Sequence, residues 1–238
     1  MKTLRTSCIL ATILLLSGCV INLQDTITGN GNVTRQTRDI PEFTGIRVGS
    51  GIDVYLTQGD QIHVEVEADE NLQEWIRTEV NGSVLKIYTD KSIRLAKTKK
   101  VHVTCKSLDR IDISSAGDVN GITPFKADKL DITLSSAGDL NLETEASEIS
   151  VTISSAGNAN LKGKTGILKA ELSSAGDLNA YDLESEKCDV SVSSAGNARV
   201  FVTGEASFRS SSAGSINYKG EPRIKEIHTS SAGSVNKK

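Results

Sequence analysis

Seven near-identical heptapeptides punctuate the second half of the chain. They read SSAGDVN at 114–120, SSAGDLN at 135–141, SSAGNAN at 154–160, SSAGDLN at 173–179, SSAGNAR at 193–199, SSAGSIN at 211–217 and SSAGSVN at 230–236. Their glycines, Gly117, Gly138, Gly157, Gly176, Gly196, Gly214 and Gly233, are spaced by 21, 19, 19, 20, 18 and 19 residues. A repeat near 20 residues makes each copy one structural unit that buries its apolar face against the next, which is the signature of a solenoid.

The local pattern excludes helical repeats. Before most SSAG copies, apolar residues alternate with polar ones: Leu130, Ile132, Leu134; Ile149, Val151, Ile153; Leu168, Ala170, Leu172; Cys188, Val190, Val192. The residues between them include Asp131, Thr133, Ser150, Thr152, Glu171, Asp189 and Ser191. A period of two with β-branched residues means a strand with one face in and one out. After the glycine, Val119, Leu140, Ala159, Leu178, Ala198, Ile216 and Val235 form a second inward column. The expected fold is all-β: a single-stranded parallel β-helix of about 19–20 residues per coil, right-handed by analogy with most such folds. Its coils stack at the interstrand spacing of about 4.8 Å. In this reading the SSAG glycines are structural corners that take backbone angles closed to other residues. Small Ser and Ala let the corners stack, and Asn side chains bond the copies above and below.

The same register separates the two cysteines. Cys188 sits five residues before its SSAG and Cys105 nine before the first. They are then four coils apart, roughly 19 Å at ~4.8 Å per coil. A disulfide needs Cα atoms within about 7 Å, so two free buried thiols are expected.

Residues 1–18 read as a lipoprotein signal peptide. Lys2 and Arg5 precede an apolar run, Ile9 to Leu16, too short to span a bilayer, and Leu16-Ser17-Gly18-Cys19 resembles a lipobox. Cleavage and acylation at Cys19 would make the membrane a partner through a lipid anchor. With Val20 rather than Asp at the next position, the outer membrane is the expected site in a Gram-negative envelope. Losing Lys2 and Arg5 leaves a net charge of −5. An acidic surface argues against nucleic acid, which needs a basic patch. The one basic cluster, LAKTKK at 95–100, reads as a solvated loop.

Residues 19–42 read as the acylated Cys and a tether, and 43–238 as the solenoid, with degenerate coils and a cap over 43–110 and the SSAG repeats over 111–238. Gly-Ser-Gly-Ile-Asp at 49–53 resembles a degenerate corner. DENLQEWIRTEV at 69–80 has helical spacing, with Leu72, Trp75, Ile76 and Glu79 on one side and Asp69 as N-cap. A short helix covering the end of the solenoid is expected there. His63, His102 and His228 fall at outward strand positions. The C-terminus shows no such cap, so homo-oligomerisation at that edge is an open expectation.

Taken together, FTGIRVGSGIDVYLTQG at 43–59, DENL at 69–72, NGSVLKIY at 81–88 and the serial SSAG corners resemble the auto-transporter adhesin head GIN domain family, over about 43–238. The resemblance implies a β-helical fold and an adhesive role, with no catalytic residues or cofactor to carry over. A lipid anchor stands where an autotransporter has a membrane barrel.

The leading function is therefore a non-catalytic envelope protein whose head binds a glycan or a protein. Two alternatives stay open. Asp118 and Asp139 share a column in adjacent coils, as paired carboxylates of a polysaccharide-processing enzyme would. With Asp177, the same column also invites calcium. It continues through Asn158, Asn197, Ser215 and Ser234, as a set of turn residues does, and no Gly-Gly-x-Gly-x-Asp repeat or Gly-x-Ser-x-Gly motif is present.

Overall fold

A computed structural model describes residues 26–238. The expected signal peptide, the expected acylation site at Cys19 and the first residues of the expected tether lie outside the described residues. The chain forms a parallel β-solenoid of about seven turns. In the repeats, β10 (Arg110–Ile113) enters the first SSAG corner and leaves it as β11 (Asp118–Gly121). The coils continue through β12 (Phe125–Leu134), β13 (Asp139–Ile153), β14 (Asn158–Leu172), β15 (Asp177–Val192) and β16 (Asn197–Ser210). The last coil is β17 (Ser215–Lys219), β18 (Arg223–Thr229) and β19 (Ser234–Lys237).

The inward columns pair as their periodicity requires. Leu130, Ile149, Leu168, Cys188 and Ala206 lie in register across five coils, as do Ile132, Val151, Ala170, Val190 and Phe208. All ten are buried. Each fully buried Leu, Ile, Val or Phe adds about 1.5–3 kcal/mol over its exposed state, so the continuous core is the main driving force. Repeats of unequal length stay in register because the surplus residues fall at irregularities, such as that between Ala180 and Glu184. Cys105 and Cys188 are both free and buried. Burial pushes the Cys105 thiol up to about 12 and, with Asp189 nearby, holds Cys188 above its ordinary value. The chain 20–238, which holds two of the four cysteines, should therefore resist alkylation by iodoacetamide when native and take up two adducts once unfolded in urea, as read by intact mass. Rapid native labelling would refute the packing.

The corners hold a correction. At the last four, the second Ser and the Ala take positive φ, for example Ser194 at 53° and Ala195 at 62°. The following glycine donates its N–H to the first Ser carbonyl, 3.1 Å for Gly196 to Ser193. That is the pattern of a turn with both central residues left-handed. Such angles cost non-glycine residues roughly 1–2 kcal/mol each. The Ala N–H groups offset this by bonding the next coil: Ala175 to Ser194, Ala195 to Ser212 and Ala213 to Ser231, each at 3.0 Å. The corner glycines themselves are not in the left-handed region. They are needed for closeness: a Cβ on Gly117 would sit 2.3 Å from the Ile52 carbonyl oxygen.

Upstream, chain order is not stacking order. β3 (Gly45–Val48) and β4 (Asp53–Gln58) form a coil around the Gly-Ser-Gly corner and lie directly on β10 and β11. The chain then leaves the stack. β7 (Val84–Thr89) and β9 (Lys99–Cys105) lie on the opposite side of that coil, against β3 and β4. Cys105 therefore belongs to a layer on the far side of the β3–β4 coil, not to the first SSAG repeat.

This end is closed by antiparallel strands rather than by the expected helix. β5 (His63–Asp69) pairs with β9, and β6 (Ile76–Asn81) with β7. Within 69–80 the helical conformation is limited to a single 3-10 turn, Glu70–Leu72. Ile76, Thr78 and Val80 also alternate at period two, and pairing with β7 decides in favour of that pattern. Asp69 makes no side-chain cap bond.

Two segments of the expected tether are strands. β1 (Thr26–Thr28) pairs in parallel with β8 (Ser92–Leu95), and β2 (Val33–Arg38) pairs antiparallel with β5 over six residues. VTRQTR is polar on both faces because it covers the outside of the cap, so no apolar alternation marks it.

Candidate functional site

The expected carboxylate column exists and is longer than the sequence suggested. Asp118 pairs with Asp139, Asp139 with Asn158, and Asn158 with Asp177. Asp53 adds to it from the upstream coil, its Oδ1 accepting the Asp118 N–H at 3.4 Å. Most members are already engaged. Asn158 Nδ2 donates to Asp139 at 2.7 Å, Asn197 Nδ2 to Asp177 at 2.7 Å, and Arg199 to Asp177 at 2.9 Å. Partial burial, then Asp53 and Asp139, raise the Asp118 carboxyl above its ordinary value. Among the described residues no group of three or more His, Cys, Asp or Glu is placed to hold a metal ion. One column along, Asn141 bonds Asn120 at 3.0 Å, Asn160 bonds Asn141 at 3.0 Å and Asn179 bonds Asn160 at 3.3 Å. These ladders tie coil to coil, as the repeated Asn implies.

A concavity lies elsewhere, on the outward face of the strands that enter the corners. It is an open groove of about 650 Å³. Two columns build it. Arg47, Asp112, Thr133 and Thr152 follow one another across four coils, with Gly45, Arg110, Asp131 and Ser150 beside them. The floor is low where both columns become small, at Thr133, Ser150 and Thr152. Beyond it stand Lys169 and Glu171. Arg47 holds one oxygen of Asp112, Nη2 to Oδ2 at 2.8 Å. Arg110 is exposed and has no hydrogen-bonding or ionic partner among the described residues. The same is true of the Thr133, Ser150 and Thr152 hydroxyls. The arrangement offers one uncommitted guanidinium, a row of hydroxyls and two carboxylates along the solenoid axis.

The alternation marks Asp131, Thr133, Ser150 and Thr152 as outward strand residues but not as a site, and does not mark Asp112. It missed Arg47 and Arg110 altogether. Their approach depends on the coil at 43–58 stacking on 110–121 across the inserted cap, which no spacing in the chain reveals.

A regular solenoid closed at one end by a small antiparallel cap, with ladders of Asn and Asp on its surface, defines a class of repetitive β-helical head domains. The chain belongs to the family described as "Putative auto-transporter adhesin, head GIN domain", whose model matches residues 42–222. The family groups it with adhesin-like surface proteins.

Several solved structures share the fold, three of which follow. A putative adhesin from Bacteroides fragilis is 23% identical, with a TM-score of 0.81, covering 89% of this chain and 99% of that one. A putative lipid binding protein from Parabacteroides distasonis is 24% identical, with a TM-score of 0.73, covering 90% and 99%. A putative adhesin from Parabacteroides merdae is 20% identical, with a TM-score of 0.68, covering 90% and 99%. At these identities the likeness concerns the fold alone. No curated protein matches the chain.

Proposed function

We propose that the chain is a lipid-anchored, non-catalytic protein of the cell envelope that binds a glycan bearing a carboxylate group along the groove. The observation that carries this is the uncommitted Arg110 beside the free hydroxyls of Thr133, Ser150 and Thr152. A guanidinium binds carboxylate in a two-pronged geometry that a lysine does not reproduce. The hydroxyls, and the Asp112 oxygen that Arg47 leaves free, suit sugar hydroxyls. Coils about 4.8 Å apart repeat these groups along the axis, the direction an extended glycan would follow. The anchor rests on the order of charged, apolar and Leu-Ser-Gly-Cys segments ending at Cys19, and the expected location is an outer membrane. Among the described residues, no helix is long and apolar enough to cross a membrane.

A glycan array probed with the unacylated chain 20–238 tests the reading. Hits should be glycans with uronic or other acidic sugars. Arg110→Ala should weaken them by about tenfold or more, the effect of losing charge-assisted hydrogen bonds worth about 1.5–3 kcal/mol. Hits that ignore Arg110, or an array without hits, would count against the groove.

A further inference from the structure

The β1–β8 ribbon and its flanks are rich in basic side chains, two of which make hydrogen bonds to uncharged groups, Arg94 to the Thr28 hydroxyl at 3.3 Å and Lys97 to the Gly31 carbonyl at 3.5 Å. Lys91, Arg94, Lys97 and Lys99 fall within nine residues, and none forms a salt bridge among the described residues. The neighbouring acid, Asp90, is held by Arg77. Leu95, between Arg94 and Lys97, is 66% exposed, more than any other exposed large hydrophobic residue described. Lys91 Nζ stands 3.9 Å from the centre of the half-buried Trp75 ring. Ser50, Thr89, Asp90, Lys91, Ser92 and Ile93 line a shallow pocket of about 330 Å³, room for a phosphate group. Basic side chains around an exposed Leu, with a Trp nearby, are what a membrane interface favours.

The position of the ribbon in the chain points to the same partner. Thr26 opens β1 and lies seven residues from Cys19, a reach of at most about 25 Å. Because β1 is paired to β8, an acyl group on Cys19 would bring this ribbon to the bilayer. The last coil lies roughly 40 Å away along the axis.

We infer that the basic surface of the β1–β8 ribbon docks on the headgroups of anionic phospholipids, with Leu95 entering the interface and the repeats directed away from the membrane. The orientation rests on the proposed lipid anchor; the affinity of the surface does not.

The test uses the unacylated chain 20–238, which keeps every described strand, in sedimentation with vesicles. Phosphatidylcholine vesicles containing phosphatidylglycerol should bind it in a salt-sensitive way, and pure phosphatidylcholine should bind it weakly. Each lost cation should weaken binding about fivefold, so Arg94→Gln with Lys97→Gln should weaken it about 25-fold. Leu95→Ser should weaken it too, and Lys129→Gln with Lys187→Gln on the repeats should not. Melting curves establish that the variants fold. No binding to the anionic vesicles, or binding indifferent to Arg94 and Lys97, overturns the inference. Palmitate labelling of the full chain, compared with Cys19→Ser, tests the anchor separately. Failed labelling with intact vesicle binding overturns the anchor and supports the surface. Labelling without vesicle binding does the reverse.

Discussion

Gly117→Ala should lower the melting temperature by roughly 6–12 °C, from about 3 kcal/mol of overpacking at about 2–4 °C per kcal/mol for a chain of this size. The new Cβ would lie 2.3 Å from the Ile52 oxygen and 2.9 Å from the Ile52 nitrogen. Both are backbone atoms of the adjoining coil, inside the stack, so relief requires two coils to move apart. Moving them stretches the β4–β11 pairing and the Asp53–Asp118 contact together. Gly196→Ala makes the matched comparison. Its Cβ would meet Val192 Cγ1 at 3.1 Å and the Ser193 and Gly176 oxygens at 3.2 and 3.3 Å, tight contacts that a few tenths of an ångström relieve, unlike the 2.3 Å overlap at Gly117. Its cost should stay under about 1 kcal/mol, partly offset because alanine restricts the unfolded chain. Gly233→Ala makes an approach as close as Gly117, 2.3 Å to the Ser210 oxygen, but in the exposed last coil, and should fall between the two. Thermal melts of the three variants rank them. Equal losses at all three would mean that the glycines serve backbone conformation rather than coil spacing.

That ranking bears on how far the repeat can be read from its letters. The period, the two inward columns and the Asn ladders follow from alternation, because each side chain in a parallel stack meets its own counterpart. Leu130 on Ile149 on Leu168 needs no information beyond the spacing. The corner was located correctly, but its chemistry was assigned to the wrong residue. The left-handed angles fall on Ser and Ala, and the glycine is required by the neighbouring coil, which a single repeat does not contain. The cap was less legible for a different reason. Its strands pair antiparallel and out of chain order, so neither a fixed period nor a stacked column marks them. β2 shows no apolar face at all, and Ile76–Asn81 satisfies helical and strand spacing alike. The groove inherits this problem. Its floor lies in the repeats and its two arginines come from coils separated in sequence by the cap.

Asp69 joins the cap to the ribbon, and its replacement by asparagine should cost about 3 kcal/mol at neutral pH. The carboxylate is buried, with 1% of its surface exposed. Oδ2 accepts the Gly31 N–H at 2.8 Å, and Oδ1 accepts the N–H groups of Lys97 and Thr98 at 3.1 Å each. It thereby fastens the turn between β1 and β2 to the bend between β8 and β9. Asparagine offers only one oxygen. In either orientation its NH₂ faces a backbone N–H, leaving partly buried donors without an acceptor and removing charge-assisted bonds worth about 1.5–3 kcal/mol each. Burial alone would raise the carboxyl pKa, but the N–H groups of Gly31, Thr98 and Lys97 outweigh it and hold the group below its ordinary value. A depressed folded-state pKa means that the stabilisation is complete above the unfolded value, about 3.9, and is lost as pH falls through the folded one. The gap in urea midpoint between wild type and Asp69→Asn should therefore be wide at pH 7 and narrow steadily below about pH 4. The loss should appear first in the cap, because the repeats hold their own core and can stay folded while the ribbon opens. Hydrogen exchange would show it as faster exchange at Gly31, Lys97 and Thr98 with the amides of β13 to β15 unchanged. A gap independent of pH, or exchange accelerated equally in the repeats, would mean that Asp69 acts through packing and not through its charge.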